Sequence, residues 1–191
     1  MTSKNLLLTL LIFLTGFGSP IFGQSKRSSV TFDLGGSRAI IGVGYDYRFT
    51  KNVNNFGINA GIGLFSISAS GYTINNKSEL VDVNSSISAL LLPVMANGLF
   101  GGRNHHFELG IGLVPLFHSA DANFHHDSKE GHFRGNGLGM SGTFLLGYRY
   151  QRPQGGFVFK AGLNPMFKLP GIDNYIATSP FWPYISLGYS F

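Results

Sequence analysis

The stretch Pro183-Tyr184-Ile185-Ser186-Leu187-Gly188-Tyr189-Ser190-Phe191 carries an apolar side chain at every second position. Side chains alternate across a β-strand, so Pro183, Ile185, Leu187, Tyr189 and Phe191 share one face, and Ser186, Gly188 and Ser190 share the other. The strand runs flush to an aromatic last residue, with no cap and no polar tail. In a water-soluble core that ring and its carboxylate would fray. A wall with lipid on one side accommodates it, because an aromatic ring settles at a membrane–water interface.

The same period recurs along the chain. In a second strand Ala39, Ile41, Val43, Tyr45, Tyr47 and Phe49 are assigned outward, with Ile40, Gly42, Gly44, Asp46 and Arg48 inward. A third places Phe56, Ile58, Ala60, Ile62 and Leu64 outward against Gly57, Asn59, Gly61 and Gly63. A fifth has Phe107, Leu109, Ile111, Leu113, Pro115 and Phe117 outward, with Glu108, Gly110 and Gly112 inward. The sixth sets Leu138, Met140, Phe144, Leu146, Tyr148 and Tyr150 against Ser141, Thr143, Gly147 and Arg149. In the seventh Phe157, Phe159, Ala161, Leu163, Pro165 and Phe167 face out, and Lys160, Gly162 and Asn164 face in. A helix over any of these windows would scatter charge around its whole circumference, so the strand reading stands. The first strand, 29–35, is short and turns through Gly35-Gly36-Ser37 into the second. The fourth, 86–100, is ambiguous through Leu90-Leu91-Leu92 until Pro93; Leu92, Val94, Ala96 and Phe100 are assigned outward, Met95 and Asn97 inward.

Composition fits a wall better than a globule. Charged residues make up 12% of the chain and glycine contributes 27 of 191 residues, roughly half and twice the usual shares. At the N-terminus Lys4 precedes an apolar run from Leu6 to Phe17, then Gly18-Ser19-Pro20 and Ile21-Phe22-Gly23. That run is too short for a transmembrane helix and has the layout of a secretory signal. Residues 1–23 are expected to be a cleaved signal peptide and 24–191 the mature domain. The chain has no cysteine, which removes disulfides, thiol chemistry and a lipoprotein anchor. No cofactor is expected.

Connections and aromatics assemble the strands. Those at 50–55, 101–105 and 152–155 are tight, whereas 70–84, 119–136 and 169–180 are long and polar, so short and long alternate. An outer-membrane barrel alternates its periplasmic turns and extracellular loops this way. Under that topology Tyr45, Tyr47, Phe49, Phe100, Phe107, Tyr148, Tyr150, Phe157, Phe159, Tyr189 and Phe191 ring one end. Phe117, Phe167, Phe181 and Trp182 ring the other. The predicted fold is all-β: an eight-stranded antiparallel up-and-down transmembrane β-barrel in the cell outer membrane.

The chain resembles the small outer-membrane β-barrels of OmpA/OmpX-like type, whose last strand ends in Phe; Tyr189 and Phe191 stand where that assembly signature lies. Gly147-Tyr148-Arg149-Tyr150-Gln151 followed by Gly155-Gly156-Phe157, and the closing Gly188-Tyr189-Ser190-Phe191, are similar to a group of uncharacterised Gram-negative barrels. The resemblance implies fold, place and recognition by the barrel-assembly machinery. It implies no activity.

Eight strands leave an interior about wide enough to be filled by side chains. Inward positions supply Asp46, Arg48, Asn59, Asn97, Glu108, Arg149, Lys160 and Asn164. An unpaired charge in so confined a space costs several kcal/mol, so Asp46 and Glu108 are expected to pair with Arg48, Arg149 and Lys160. A structural or surface-interaction barrel with a filled lumen follows. The alternative is a narrow pore or small-solute transporter in which those pairs re-partner.

Other chemistries are weaker. His118, His125, His126 and His132 gather near 119–136 with Asp121, Asp127 and Glu130, ligand types that suit zinc or copper. Their spacing fits no closed tetrahedral pattern, and a solvated loop is the default. His126-Asp127-Ser128 resembles the histidine–serine pair of lipid A deacylase barrels, but the sixth strand offers Met140, Ser141 and Thr143 where an orienting acid is required. No Gly-x-Ser-x-Gly elbow occurs either, so a lipid-modifying hydrolase is the least favoured reading and no enzyme is expected. Net charge is +5, yet it is dispersed, with no basic stripe for nucleic acid. Lys77, Lys129 and Arg134 are positioned to meet lipopolysaccharide phosphate. The remaining expected partner is outer-membrane lipid, and a monomer is favoured.

Overall fold

A strand facing lipid has no water to satisfy its backbone, so each of its edges must be paired. The chain meets that demand by closing a ring. The computed structural model describes residues 27–50, 54–74, 80–126, 129–171 and 181–191, and the expected signal segment 1–23 lies outside them. Ten strand segments follow in order: β1 (Ser28–Gly35), β2 (Ile41–Arg48), β3 (Phe56–Ile74), β4 (Leu80–Leu91), β5 (Val94–Gly101), β6 (His105–His126), β7 (Lys129–Gln151), β8 (Gly156–Leu163), β9 (Met166–Phe167) and β10 (Pro183–Ser190).

These segments form eight staves. β4 and β5 both pair with β3 and with β6, so they lie end to end as one stave. β8 and β9 share the edge of β7 in the same way. Pro93 lacks a donor and separates β4 from β5; Leu92 N–H still reaches Pro115 O at 2.9 Å, and Pro93 O accepts from Gly61 N at 3.0 Å. Every pairing between these strands is antiparallel, and β1 against β10 closes the ring, Ser29 opposite Ser190 through Gly35 opposite Tyr184. Ser28 and Phe191 exchange both backbone hydrogen bonds, at 3.3 and 2.9 Å.

Period two sorts the side chains as expected over most of the wall. Val43, Ile62, Ile111, Phe144, Phe157, Ile185 and Leu187 are exposed on the outside, whereas Asp46, Asn59, Glu108, Arg149 and Ser186 are buried inside. An apolar belt around a whole circumference is the surface that hydrocarbon covers.

Three assignments are corrected. Ala39, expected outward, is buried at 4% exposure, and Ile40, expected inward, is 50% exposed. The 3-10 turn Gly36–Arg38, entered with φ 78° at Gly35 and 68° at Gly36 and left with φ 62° at Ala39, inverts the alternation before β2 begins. Trp182, expected in an aromatic ring at the wall, packs instead against a buried apolar cluster within the barrel. The segments 70–84 and 119–136, expected as long polar loops, are largely strand: β3 pairs with β4 out to Ile74 and Leu80, and β6 with β7 out to His126 and Lys129. Residues 172–180 of the third expected loop lie outside the described residues.

The ring is therefore uneven in height. At the end opposite Ser28 and Phe191, β1 and β2 finish at the Gly36–Arg38 turn, while β3, β4, β6 and β7 continue as a tall four-stranded sheet.

Candidate functional site

The lumen is stacked in two tiers. The tier nearer the chain ends is charged. Asp46 sits at its centre: Oδ1 accepts from Arg48 Nε at 2.9 Å and Arg149 Nη2 at 3.1 Å, while Oδ2 accepts from Arg48 Nη2 at 2.7 Å and Asn97 Nδ2 at 3.0 Å. Glu108 Oε1 accepts from Asn97, and from Arg149 Nη1 and Lys160 Nζ at 3.5 Å each. Lys160 Nζ lies 3.8 Å from Asp46 Oδ2. Arg149 Nη2 also donates to Ser29 Oγ at 3.1 Å. All five charged residues expected to pair in the lumen thus occupy one buried cluster, supplied by β2, β6, β7 and β8.

The sequence reading missed a second ion pair. Arg38 leaves the Gly36–Arg38 turn, bonds Asp33 Oδ2 through Nη1 at 2.8 Å, and reaches Asn59 and the Ala60 carbonyl across β3. It fits because the wall beneath it is glycine: a Cβ on Gly63 would fall 2.3 Å from Arg38 O and 2.5 Å from its Cα. The Gly57, Gly61, Gly63 series on one face of β3 was the available signal, since a glycine in a strand interior marks close approach by another group.

The second tier, toward the tall end, is apolar. Ala39, Ala89, Leu91, Val114, Leu116 and Met166 form a buried cluster, with Phe65 and Trp182 packed against it. Leu91, Val114 and Leu116 are inward-facing residues that a period-two reading marks, but an expectation of a polar lumen passes over them. Between the tiers, Asp33, Ser37, Arg38, Lys160, Asn164 and Tyr184 line a small chamber that leaves about 10 Å³ for the centre of a water-sized particle.

The tall sheet presents two contrasting faces. Its register sets Leu64, Leu90, Phe117 and Leu138 side by side as the last apolar row outside. The next outward rows are Ser66-Ser88-Ser119-Asn136, then Ser68-Ser86-Asp121-Arg134, then Ser70-Asn84-Asn123-His132. Ser66 and Ser88 hydroxyls meet at 3.1 Å, and His132 Nδ1 lies 2.7 Å from Asn123 Oδ1. A groove of about 1030 Å³ follows this boundary, with Leu64, Leu90, Phe117, Ser66, Ser88 and Arg134 in its lining. The opposite face repeats Ile67-Ile87-Ala120-Gly135 and continues down into the apolar tier.

His118 and His132 do not converge. His118 stands opposite Gly137 and His132 opposite Asn123, five positions apart along the β6–β7 hairpin, or roughly 17 Å at strand rise. The side chains of His125 and His126, and Asp127 and Ser128 of the deacylase-like triplet, lie outside the described residues. Among the described residues no group of three or more metal-ligating side chains assembles.

A closed antiparallel ring of eight staves, apolar outside and charged within, defines the fold of a small outer-membrane β-barrel. No protein-family model matches the chain, and no curated protein matches its sequence. Among solved structures it is similar to the N-terminal β-barrel domain of Pseudomonas aeruginosa OprF, with a TM-score of 0.50 and 12% identity over 88% of this chain and 100% of that one. It is also similar to Ail, the attachment invasion locus protein of Yersinia pestis. The structure of Ail with the heparin analogue sucrose octasulfate gives a TM-score of 0.36 over 97% of that chain; a second Ail structure gives 0.34 over 98%. Both share 12% identity with this chain and cover 88% of it. At such identity the likeness to the OprF domain is one of fold.

Proposed function

We propose that the chain is an integral outer-membrane barrel that acts through its outer surface, with a lumen closed by its own side chains. The observation that carries this reading is the tall sheet, whose outward face changes from Leu and Phe to Ser and Asn within one two-residue step. A lipid-facing wall ends where polar side chains can reach water, so the four strands beyond that step stand clear of the membrane. In this orientation Ser28 and Phe191 lie at the periplasmic end, and the tall sheet is on the cell exterior. The signal segment 1–23 is removed on export, and the strand ending in Tyr189 and Phe191 is read by the barrel-assembly machinery. Arg134, on the second polar row, faces lipopolysaccharide phosphate, while outer-membrane lipid covers the belt.

Closure of the lumen is supported by the packing of the two tiers and the small volume between them. A water-filled channel needs a continuous polar path, and Leu91, Val114, Leu116 and Met166 interrupt it. The test is conductance of the purified protein in a planar bilayer. A silent trace supports the reading; discrete steps from the wild-type chain favour the narrow-pore alternative and overturn closure.

A further inference from the structure

The buried charges of the lumen do not balance. Among the described residues the buried acids are Asp33, Asp46 and Glu108, and the buried arginines and lysines are Arg38, Arg48, Arg149 and Lys160, one cation in excess. Arg38 holds Asp33 at 2.8 Å, and Arg48 holds Asp46 through two bonds at 2.9 and 2.7 Å. Arg149 reaches Asp46 at 3.1 Å. Lys160 is the least well matched, 3.5 Å from Glu108 and 3.8 Å from Asp46, against roughly 2.8 Å for a good charged hydrogen bond.

Lys160 also lines the chamber between the tiers, beside groups that lack a protein partner. Arg38 Nε, the Tyr184 hydroxyl and the Ser37 hydroxyl are all buried and unpartnered, and their residues line this chamber. Two of the lining side chains carry positive charge. The lining holds one carboxylate, Asp33, whose second oxygen is also unpartnered, but its charge is matched by Arg38. Water would satisfy the hydroxyls and leave the excess charge in place, and an uncompensated buried charge is strongly unfavourable. The room, about 10 Å³ for the centre of a water-sized particle, favours a monatomic ion over sulfate, phosphate or a carboxylate.

We infer that the chamber bounded by Lys160, Arg38, Ser37 and Tyr184 binds a single monatomic anion of chloride size, which neutralises the lumen and ties the charged tier to the apolar one. Such a site is structural: the anion lies between the tiers.

A ligand that binds only the folded state raises its stability. Exchanging gluconate for chloride at constant ionic strength should therefore raise the unfolding midpoint of the detergent-solubilised wild-type protein by a few degrees. Lys160→Met keeps the length of the side chain and removes the excess charge, so its midpoint should be the same in both salts. No rise in the wild type, or an equal rise in the variant, overturns the site. If Lys160→Met fails to fold, wild-type crystals grown in bromide decide: an anomalous peak in the chamber supports the anion, and its absence overturns it.

Discussion

Asp46 and Arg149 stand 103 positions apart in the chain and meet across the lumen, Oδ1 to Nη2, at 3.1 Å. β2 and β7 are not neighbours in the ring, so this bond spans the interior from wall to wall. With Asn97 of β5 also donating to this carboxylate, Asp46 is the point on which three staves converge.

Asp46→Asn should accordingly be among the most damaging single changes in the wall. It leaves Arg48 buried without a counter-charge and Arg149 with Glu108 alone at 3.5 Å, a loss of about 3–5 kcal/mol. Asp46→Asn combined with Arg48→Met removes one charge of each sign and should recover a substantial part of that loss. Urea unfolding in detergent, followed by gel mobility, reads both; equal stability of wild type and Asp46→Asn would contradict the network.

Gly63→Ala should weaken the barrel without altering any charge. The added methyl would sit 2.3 Å from the Arg38 carbonyl oxygen, a backbone atom that cannot swing aside. Overpacking of this kind costs about 1–3 kcal/mol. Gly71→Ala, where no atom lies within 4 Å of the new methyl, is the control and should unfold like the wild type.

The extent to which these features were legible in the sequence follows from the period of the strand. Wherever both faces kept their character, as from Phe56 to Leu64 or Phe107 to Leu113, alternation alone gave strand, facing and lumen residues. It gave the members of the ionic cluster too, because a charge in an apolar alternation has only the interior to occupy. It failed at Ala39 and Ile40, where a 3-10 turn inverts the parity, and at Arg38, which enters the lumen from that turn. It was passed over above the membrane boundary, where Ser66-Ile67-Ser68-Ala69-Ser70 alternates as cleanly as any lipid-facing strand but in serine rather than leucine. The apolar tier was hidden for another reason: Val114 and Leu116 continue the inward parity of Glu108 but carry no polar atom to mark a lumen, and Leu91 sits in the ambiguous run Leu90-Leu91-Leu92.

Arginine scanning along the outer face of β6 should locate the membrane boundary. Ile111→Arg lies in the belt and should cost about 2–4 kcal/mol. Ser119→Arg, four rows farther along the same face, should cost close to nothing. Folding yield into lipid vesicles compares them, and equal losses at the two positions would place the boundary elsewhere.

The apolar tier should govern closure more than the charged one. Leu116 is fully buried, and Leu116→Ala opens a cavity at a cost of about 2–5 kcal/mol. Leu116→Ala with Met166→Ala should introduce small discrete conductance steps, whereas Lys160→Met should remain silent. Steps from Lys160→Met and none from the double variant would reverse that assignment.

The central claim, a closed barrel embedded in the outer membrane, is tested most directly by fractionating cells that express the chain and running the outer-membrane fraction on a gel with and without boiling. The account predicts a band in that fraction whose mobility shifts on boiling, because the ring closed between β1 and β10 resists detergent until it is heated. A soluble periplasmic band with no shift would contradict it.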